Sequence, residues 1–211
     1  MDKSKIVVLL DNGHGKNTPG KRGPKLENGK QLVEWSYVRE IVKGIADELY
    51  KEGIPYYLVH PEDDEIGGQS NDLVIRTTRA NTYHSKVKKD GRTTVFISVH
   101  VNAAGNSGAW NKASGWTVHV AKQCSANSLR LAQILYAEAE KRGLKGNRSI
   151  PKEMALRNDF WVLRKTNMPA VLTENLFMDN KENVEYLLSE EGKKSIIDLH
   201  VVGIKQYIAS L

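Results

Sequence analysis

Four side chains of the kinds that bind divalent metals or transfer protons stand at the boundaries of predicted secondary structure. Three of them follow apolar runs that are typical of strands, and one opens a helical pattern. The four are His14, Glu34, His100 and Glu174. Because ligands of open α/β sheets bind outside the carboxyl ends of the strands, we expect these side chains to meet at one edge of a sheet.

Imidazole nitrogen and carboxylate oxygen are both ligands that zinc prefers. A catalytic zinc ion typically has three protein ligands and keeps one position open for water. Two histidines and one glutamate complete such a ligand set, and a further carboxylate is then free to act as a general base. The residue types therefore predict a catalytic site with a divalent metal ion, in the first place zinc.

Each of these residues also has an ordinary structural interpretation. His14 lies between two glycines and can cap a turn, and His100 can be a buried core histidine. Glu34 can be a first-turn residue that the helix dipole favours. Glu174 is harder to explain in this way, because it ends the apolar run in "MPAVLTENLF", where an unpaired carboxylate is costly to bury.

Other histidines compete for a place in the site. His60 and Glu62 follow the predicted strand at residues 55–60, but "HPEDDE" is typical of a solvated acidic loop, so His60 is kept only as a rival ligand. The remaining histidines lie at a helix end, within a strand and on the last helix, and they are predicted to be structural. They are His84, His119 and His200.

Apolar runs alternate with amphipathic helical patterns along the whole chain, which predicts a layered α/β domain with a largely parallel sheet. Five runs are predicted as strands, at residues 5–10, 55–60, 94–99, 115–120 and 169–173. Helices are predicted at about residues 34–52, from Asn71 or Asp72, from Ser125–Ser128 to Gly143, after Asn180, and through Ile196 to Ile208.

Length and composition narrow the function classes. The chain has 211 residues, which suits one domain, and its single cysteine, Cys124, excludes an internal disulfide. The formal net charge of +6 favours an anionic partner, but no nucleic-acid-binding motif accompanies it. No run is long enough to span a membrane, and the short run at residues 5–10 does not predict a signal peptide.

Five segments, in order, resemble the zinc-dependent N-acetylmuramoyl-L-alanine amidases, the family of bacterial autolysins and phage endolysins that cleaves peptidoglycan. They are "VVLLDNGHG", "LVEWSYVREIVKGIADELYKEG", "IRTTRAN", "VFISVHVNA" and "LRNDFWVLRKTNMPAVLTENLFMDNKENVEYL". Together they cover nearly the whole chain. One departure is Asn12, where the family usually has proline; asparagine also suits a turn.

The resemblance implies roles for individual residues. His14, Glu34 and His100 correspond to the ligands of one zinc ion per chain, and Glu174 corresponds to the catalytic acid/base. Glu27, in the loop "KLENGKQ", is the less favoured glutamate ligand because the helical pattern begins at Glu34. The implied fold is α/β: a single three-layer domain with a mixed, mostly parallel sheet of about six strands flanked by helices.

The implied reaction is hydrolysis of the amide between N-acetylmuramic acid and L-alanine, by one catalytic domain over residues 1–211. Asn102 and Trp110 are candidate substrate-binding residues, although Trp110 can equally cover apolar surface. The expected partner is peptidoglycan, and no binding to nucleic acid is expected. The protein is expected to be a monomer without a membrane span. The protein is expected to accumulate in the cytoplasm and then to be released to the cell wall. If it is a module of a larger exported protein, it is expected to be extracellular.

Two other functions remain open from the sequence. A zinc peptidase that cuts within the stem peptide can use the same ligand set. A non-catalytic wall-binding module is the third interpretation, and Glu174 beside a complete set of metal ligands speaks against it.

Overall fold

The computed structural model describes residues 5–16, 18–60, 69–105 and 108–211, so Glu62 lies outside the described residues. A central sheet and a small hairpin contain all the strands of this part of the chain. The strands are β1 (Ile6–Asp11), β2 (Arg22–Lys25), β3 (Gln31–Val33), β4 (Tyr56–Leu58), β5 (Thr93–Asn102), β6 (Thr117–Ala121), β7 (Leu156–Asn158) and β8 (Ala170–Phe177). The helices are α1 (Glu34–Lys51), α2 (Gln69–Lys89), α3 (Ala126–Lys141), α4 (Trp161–Lys165), α5 (Lys181–Leu187) and α6 (Glu190–Ala209).

The central sheet has six strands in the order β4-β1-β5-β8-β6-β7. The first four are parallel to one another, β6 runs antiparallel to β8, and β7 is parallel to β6. The predicted fold, a mixed and mostly parallel sheet of about six strands, is confirmed. The hairpin of β2 and β3 lies between β1 and α1 in the chain and was not predicted.

Both faces of the sheet are covered, which explains why its strands are continuously apolar. Alternate residues of β1 belong to two different cores: Ile6, Val8 and Leu10 pack with α1, α3 and α6, whereas Val7 and Leu9 pack with α2 and α4. The result is three layers, helix–sheet–helix. None of the helices described here is long and apolar enough to cross a membrane.

Two strands extend further than their apolar runs predict, and this corrects the placement of two candidate residues. His100 and Glu174 do not follow their strands but lie inside β5 and β8, paired in register with each other. Backbone pairing continues past the apolar run because it needs no apolar side chain, and the register then shifts between His100 and Asn102. Both residues still lie towards the carboxyl ends of their strands.

The predicted helices are all present, with one shifted start. The second helix begins at Gln69 rather than at Asn71 or Asp72. Asp72 therefore lies in the first turn, where its carboxylate faces Arg76 at 3.2 Å, one helical turn further on. The strand β7 and the short helix α4 were not predicted, because runs of three and five residues are too short to show a periodicity.

His200 of α6 is fully buried between the helix and the sheet. Its Nε2 lies 3.0 Å from the Thr173 hydroxyl and its Nδ1 lies 2.8 Å from the Ile196 carbonyl oxygen. Burial lowers the pKa of His200 to about 4. The prediction of a structural role agrees with these contacts.

This buried histidine makes stability depend on pH. In the unfolded chain His200 binds a proton below its ordinary pKa of 6.5, whereas in the folded protein it stays neutral down to about pH 4. The free energy of unfolding therefore decreases as the pH falls from 6.5 towards about 4. Between pH 7 and pH 4.5 the His200→Gln variant is therefore expected to lose about 2 kcal/mol less free energy of unfolding than the wild type. Urea denaturation at both pH values measures this difference, and equal losses in the two proteins would contradict it.

Candidate metal centre and active site

Three elements bring the predicted metal ligands together. His14 lies in the loop after β1, Glu34 is the first residue of α1, and His100 lies near the end of β5. In the described part of the chain, these three residues form the group of side chains that could hold a metal ion, with one candidate ligand atom from each within 4.8 Å of the others. Residues 20 to 86 positions apart in the sequence thus converge as the topology predicts.

The spacing of the donor atoms suits zinc. Glu34 Oε2 lies 3.5 Å from His14 Nε2, and Glu34 Oε1 lies 3.2 Å from His100 Nδ1. Ligands bound tetrahedrally at about 2.0–2.1 Å from one ion are separated by about 3.3 Å. Glu34 Oε2 is also buried without a hydrogen-bond partner, and a metal ion would satisfy it. The residues present therefore fit a zinc ion.

The loop that carries His14 is held in place by its backbone. Gly13 has a φ of 63°, and a Cβ there would lie 3.0 Å from both His100 Cε1 and the Val99 carbonyl oxygen. Glycine is therefore needed for its conformation and for the close approach of β5. On the other side, Arg39 Nη1 of α1 donates a hydrogen bond of 2.8 Å to the His14 carbonyl oxygen.

The charge states of the ligands also suit metal binding. Burial, with the neighbouring His100, lowers the pKa of His14 to about 3, so its imidazole is neutral and keeps a lone pair. Burial would raise the pKa of Glu34, but its contacts with His100, His14 and the Val101 amide lower it below its usual value. Glu34 is also held by the Val101 amide, which donates to Oε1 at 3.0 Å.

Glu174 lies beside this group and differs from Glu34 in its environment. Its Oε2 is buried and has no hydrogen-bond partner in the described structure. Burial and the negative charge of Glu34 raise the pKa of Glu174 well above its usual value, and the charge of Lys21 opposes this rise. Two neighbouring carboxyl groups with opposite pKa shifts are typical of an active site, where one holds a charge and the other transfers a proton.

A buried hydrogen-bond network orients His100 from behind. The Ser98 hydroxyl donates to Asp11 at 2.5 Å, because the carboxylate can only accept, and Ser98 Oγ lies 3.0 Å from His100 Nε2. This arrangement places the proton of His100 on Nε2 and directs Nδ1 towards Glu34. Asp11 in turn accepts from Arg76 through Nε at 2.8 Å and through Nη2.

The group opens into a cavity of about 210 Å³. Its lining includes the predicted residues His14, His100 and Glu174, together with side chains that the sequence analysis assigned no role. Those side chains include Lys21, Arg76, Phe160 and Trp161. The only sequence signal for Arg76, Phe160 and Trp161 was their position within segments of the resemblance, and Lys21 had no such signal.

The sequence matches the N-acetylmuramoyl-L-alanine amidase family over residues 8–206, which include all four predicted site residues. The chain belongs to this family. It is 27% identical over 202 residues to the endolysin of Bacillus phage SPP1, and 28% identical over 204 residues to the probable cell wall amidase LytH of Staphylococcus saprophyticus. Each alignment covers 96% of this chain but 66% and 58%, respectively, of the longer relative.

Solved amidase structures share the fold. The crystal structure of N-acetylmuramoyl-L-alanine amidase from Clostridium difficile 630 has a TM-score of 0.78 and 25% sequence identity, with 98% of each chain covered. The amidase Ami1 from Mycobacterium smegmatis has a TM-score of 0.79 at 18% identity, and covers 100% of each chain. The resemblance inferred from the sequence and the predicted fold are both confirmed.

The two predicted substrate-binding residues of this amidase-family chain lie outside the lining of the catalytic cavity. Asn102 ends β5, and its side-chain oxygen accepts a hydrogen bond of 2.8 Å from the Ala103 amide. Trp110 is 36% exposed in the loop that follows β5. Their contact with substrate stays a prediction, whereas Phe160 and Trp161 are the aromatic residues that line the cavity itself.

The competing candidates lie apart from the metal group in this amidase-family fold. Glu27 is exposed and forms an ion pair of 2.6 Å with Lys181. His60 is buried and lies near Asp72. His84 Nδ1 lies 2.7 Å from the Thr94 hydroxyl. The remaining histidine, in β6, is bound by its neighbours: the ring of His119 contacts Thr117 and Asn158.

Proposed function

We propose that residues 1–211 form one catalytic domain that hydrolyses the amide between N-acetylmuramic acid and L-alanine in peptidoglycan, with one zinc ion held by His14, Glu34 and His100. The observation that carries this proposal is the pair of buried, unpartnered carboxylate oxygens, Glu34 Oε2 and Glu174 Oε2. Glu34 Oε2 belongs to the group with His14 and His100, and Glu174 lines the adjoining cavity together with those two histidines. Membership of the amidase family supports the bond that is cleaved.

The different roles of Glu34 and Glu174, metal ligand and proton carrier, follow from their surroundings. The surroundings of Glu34 lower its pKa, and the Val101 amide donates to its carboxylate, so Glu34 is an anion, which suits a metal ligand. When bound, a zinc ion would polarise the scissile carbonyl and acidify water. Glu174 has no such hydrogen bonds, so it is free to exchange a proton with water and substrate.

Glu174 performs the proton transfers in this proposal. Its carboxylate takes a proton from the attacking water as the carbon–oxygen bond forms, and it then gives this proton to the alanine nitrogen as the carbon–nitrogen bond breaks. Burial and Glu34 raise the pKa of Glu174, which strengthens its carboxylate as a base. The positive charge of a zinc ion beside it would favour the carboxylate form that the first transfer needs. The products are a lactyl carboxylate and a stem peptide with a free amino terminus.

The surrounding surface is consistent with a cell-wall substrate. The chain carries a formal net charge of +6, which favours approach to an anionic polymer. We propose that Asn102 and Trp110 contact parts of the substrate beyond the reacting amide, and that the protein acts as a monomer at the cell wall. Relatives named endolysin and probable cell wall amidase support this site of action.

Analysis of products from purified peptidoglycan tests the proposed reaction and its metal. The protein is expected to release stem peptides with amino-terminal alanine, and mass spectrometry identifies them. A chelator should abolish release, and added zinc should restore it. New amino termini within the stem peptide would indicate the peptidase instead, and binding without any release would indicate a wall-binding module.

A further inference from the structure

A lysine at the rim of the catalytic cavity has a fixed position. The Lys21 carbonyl oxygen accepts a hydrogen bond of 2.9 Å from the Glu34 amide, so its backbone is tied to the first residue of α1. The hairpin that Lys21 precedes is packed tightly, because a Cβ at Gly23 would overlap the Met178 carbonyl after β8. The backbone of Lys21 is therefore anchored between the metal group and the end of the central sheet.

The Lys21 side chain borders two cavities. One is the catalytic cavity, where its charge acts on both Glu174 and His14. The other is a groove of about 460 Å³ between the β2–β3 hairpin and the loop after β5. Lys21 is half-buried at the border, so a substrate that occupies both cavities must pass its side chain.

The ammonium group of Lys21 has no counter-ion in the described structure. It takes part in no ion pair or hydrogen bond there, in contrast to Lys181 and Lys193, which pair with glutamates at 2.6 Å and 2.7 Å. The acid that lines the groove, Asp179, is committed to the loop after β5, because its carboxylate accepts hydrogen bonds from the Ala104 and Gly105 amides and from Asn111. A half-buried cation without a partner suits an anionic ligand.

We propose that Lys21 recognises a carboxylate of the substrate, one residue beyond the alanine that is released. This inference rests on the proposed amidase function, which places the scissile amide beside Glu174. The residue after alanine in peptidoglycan carries a carboxyl group that is free in some cell walls and amidated in others. One further residue of extended peptide spans roughly 3.3–3.6 Å, so this group lies within a few ångströms of the scissile amide. Lys21 is the lysine that lines the cavity beside Glu174. Lys21 is thus a specificity-determining residue for the free acid.

Two N-acetylmuramoyl peptides that differ only at this carboxyl group, one the free acid and one the amide, test the proposal. The wild type is expected to have a kcat/KM about tenfold higher for the acid, the usual effect of a charge-assisted contact. Lys21→Met should remove the preference by raising KM for the acid, with kcat much less affected. Lys21→Arg, which keeps the charge, should retain the preference.

The matched control is Lys25→Met, because Lys25 is exposed on β2 of the same hairpin and lines neither cavity. It should keep both the activity and the preference. The proposed recognition is wrong if the wild type cleaves both peptides equally, if Lys21→Met keeps the preference, or if Lys21→Met lowers kcat equally for both peptides. In each of these cases the amidase function stands. If the wild type releases no alanyl peptide from either, the proposed function itself fails.

Discussion

Replacing Glu174 by glutamine is expected to lower kcat for amide hydrolysis by about a thousandfold, since a positioned general acid/base contributes roughly 10²–10⁴-fold. Glutamine has the same size and can occupy the same position, but it cannot take a proton from water or give one to the leaving nitrogen. Release of amino groups from purified peptidoglycan measures the rate, and metal analysis of the same preparation measures zinc.

The variant is expected to keep its zinc and its stability. Because burial and the charge of Glu34 already favour the neutral form of Glu174, a neutral amide there adds no new unpaired charge. Glu185→Gln is the matched control, since Glu185 is exposed on α5. Wild-type lysis by the Glu174→Gln variant would show that the proton is carried elsewhere, and loss of zinc would make Glu174 a ligand.

Replacing Arg76 by methionine is expected to lower the free energy of unfolding by about 3–5 kcal/mol, the usual cost of leaving one member of a buried ion pair alone. Arg76 is 1% exposed and its main partner Asp11 is fully buried. Burial would raise the pKa of Asp11, but the charge and hydrogen bonds of Arg76, with the hydroxyl of Ser98, keep it below its usual value. Without Arg76 a buried carboxylate remains.

Urea denaturation of metal-free protein at neutral pH measures this loss apart from any effect on zinc binding. Arg130→Met on α3 is the control, because Arg130 is exposed and forms one hydrogen bond, to the Ser210 carbonyl oxygen. The double variant Asp11→Asn with Arg76→Met removes both charges and is expected to recover part of the loss. A change below about 1 kcal/mol in Arg76→Met would contradict the importance of the pair.

Much of the candidate site was predictable because its residues occur at the ends of strongly patterned elements. The strands are apolar on both faces and the first helix has a clear period, so their order and the shared edge followed from the sequence. His14, Glu34, His100 and Glu174 were candidates on that ground, and the family resemblance gave them their roles. The structure brings His14, Glu34 and His100 into one group and places Glu174 with the two histidines in the lining of the adjoining cavity. The exact ends of β5 and β8 were wrong, since backbone pairing does not stop where apolar residues stop.

Other parts of the site had no pattern to predict them. Lys21 precedes a hairpin of short strands, and Phe160 and Trp161 stand at the start of the five-residue helix α4. Their place in the cavity depends on how these short elements pack against the sheet. Trp110 is predicted to contact substrate because a loop tryptophan can stack on sugar or peptide, whereas the aromatic residues that line the cavity are Trp161 of α4 and its N-cap residue Phe160.

The sequence by itself determined the layered fold and placed the four candidate residues at element boundaries, because these depend on local periodicity and on residue types at strand ends. It also gave the family, through the resemblance of five segments. Only the tertiary structure decided what surrounds them. The environment that separates the two glutamates, an anion at Glu34 and a proton carrier at Glu174, comes from burial and from partners distant in the chain. The same holds for Lys21, whose lack of a counter-ion depends on which acids the packing commits elsewhere.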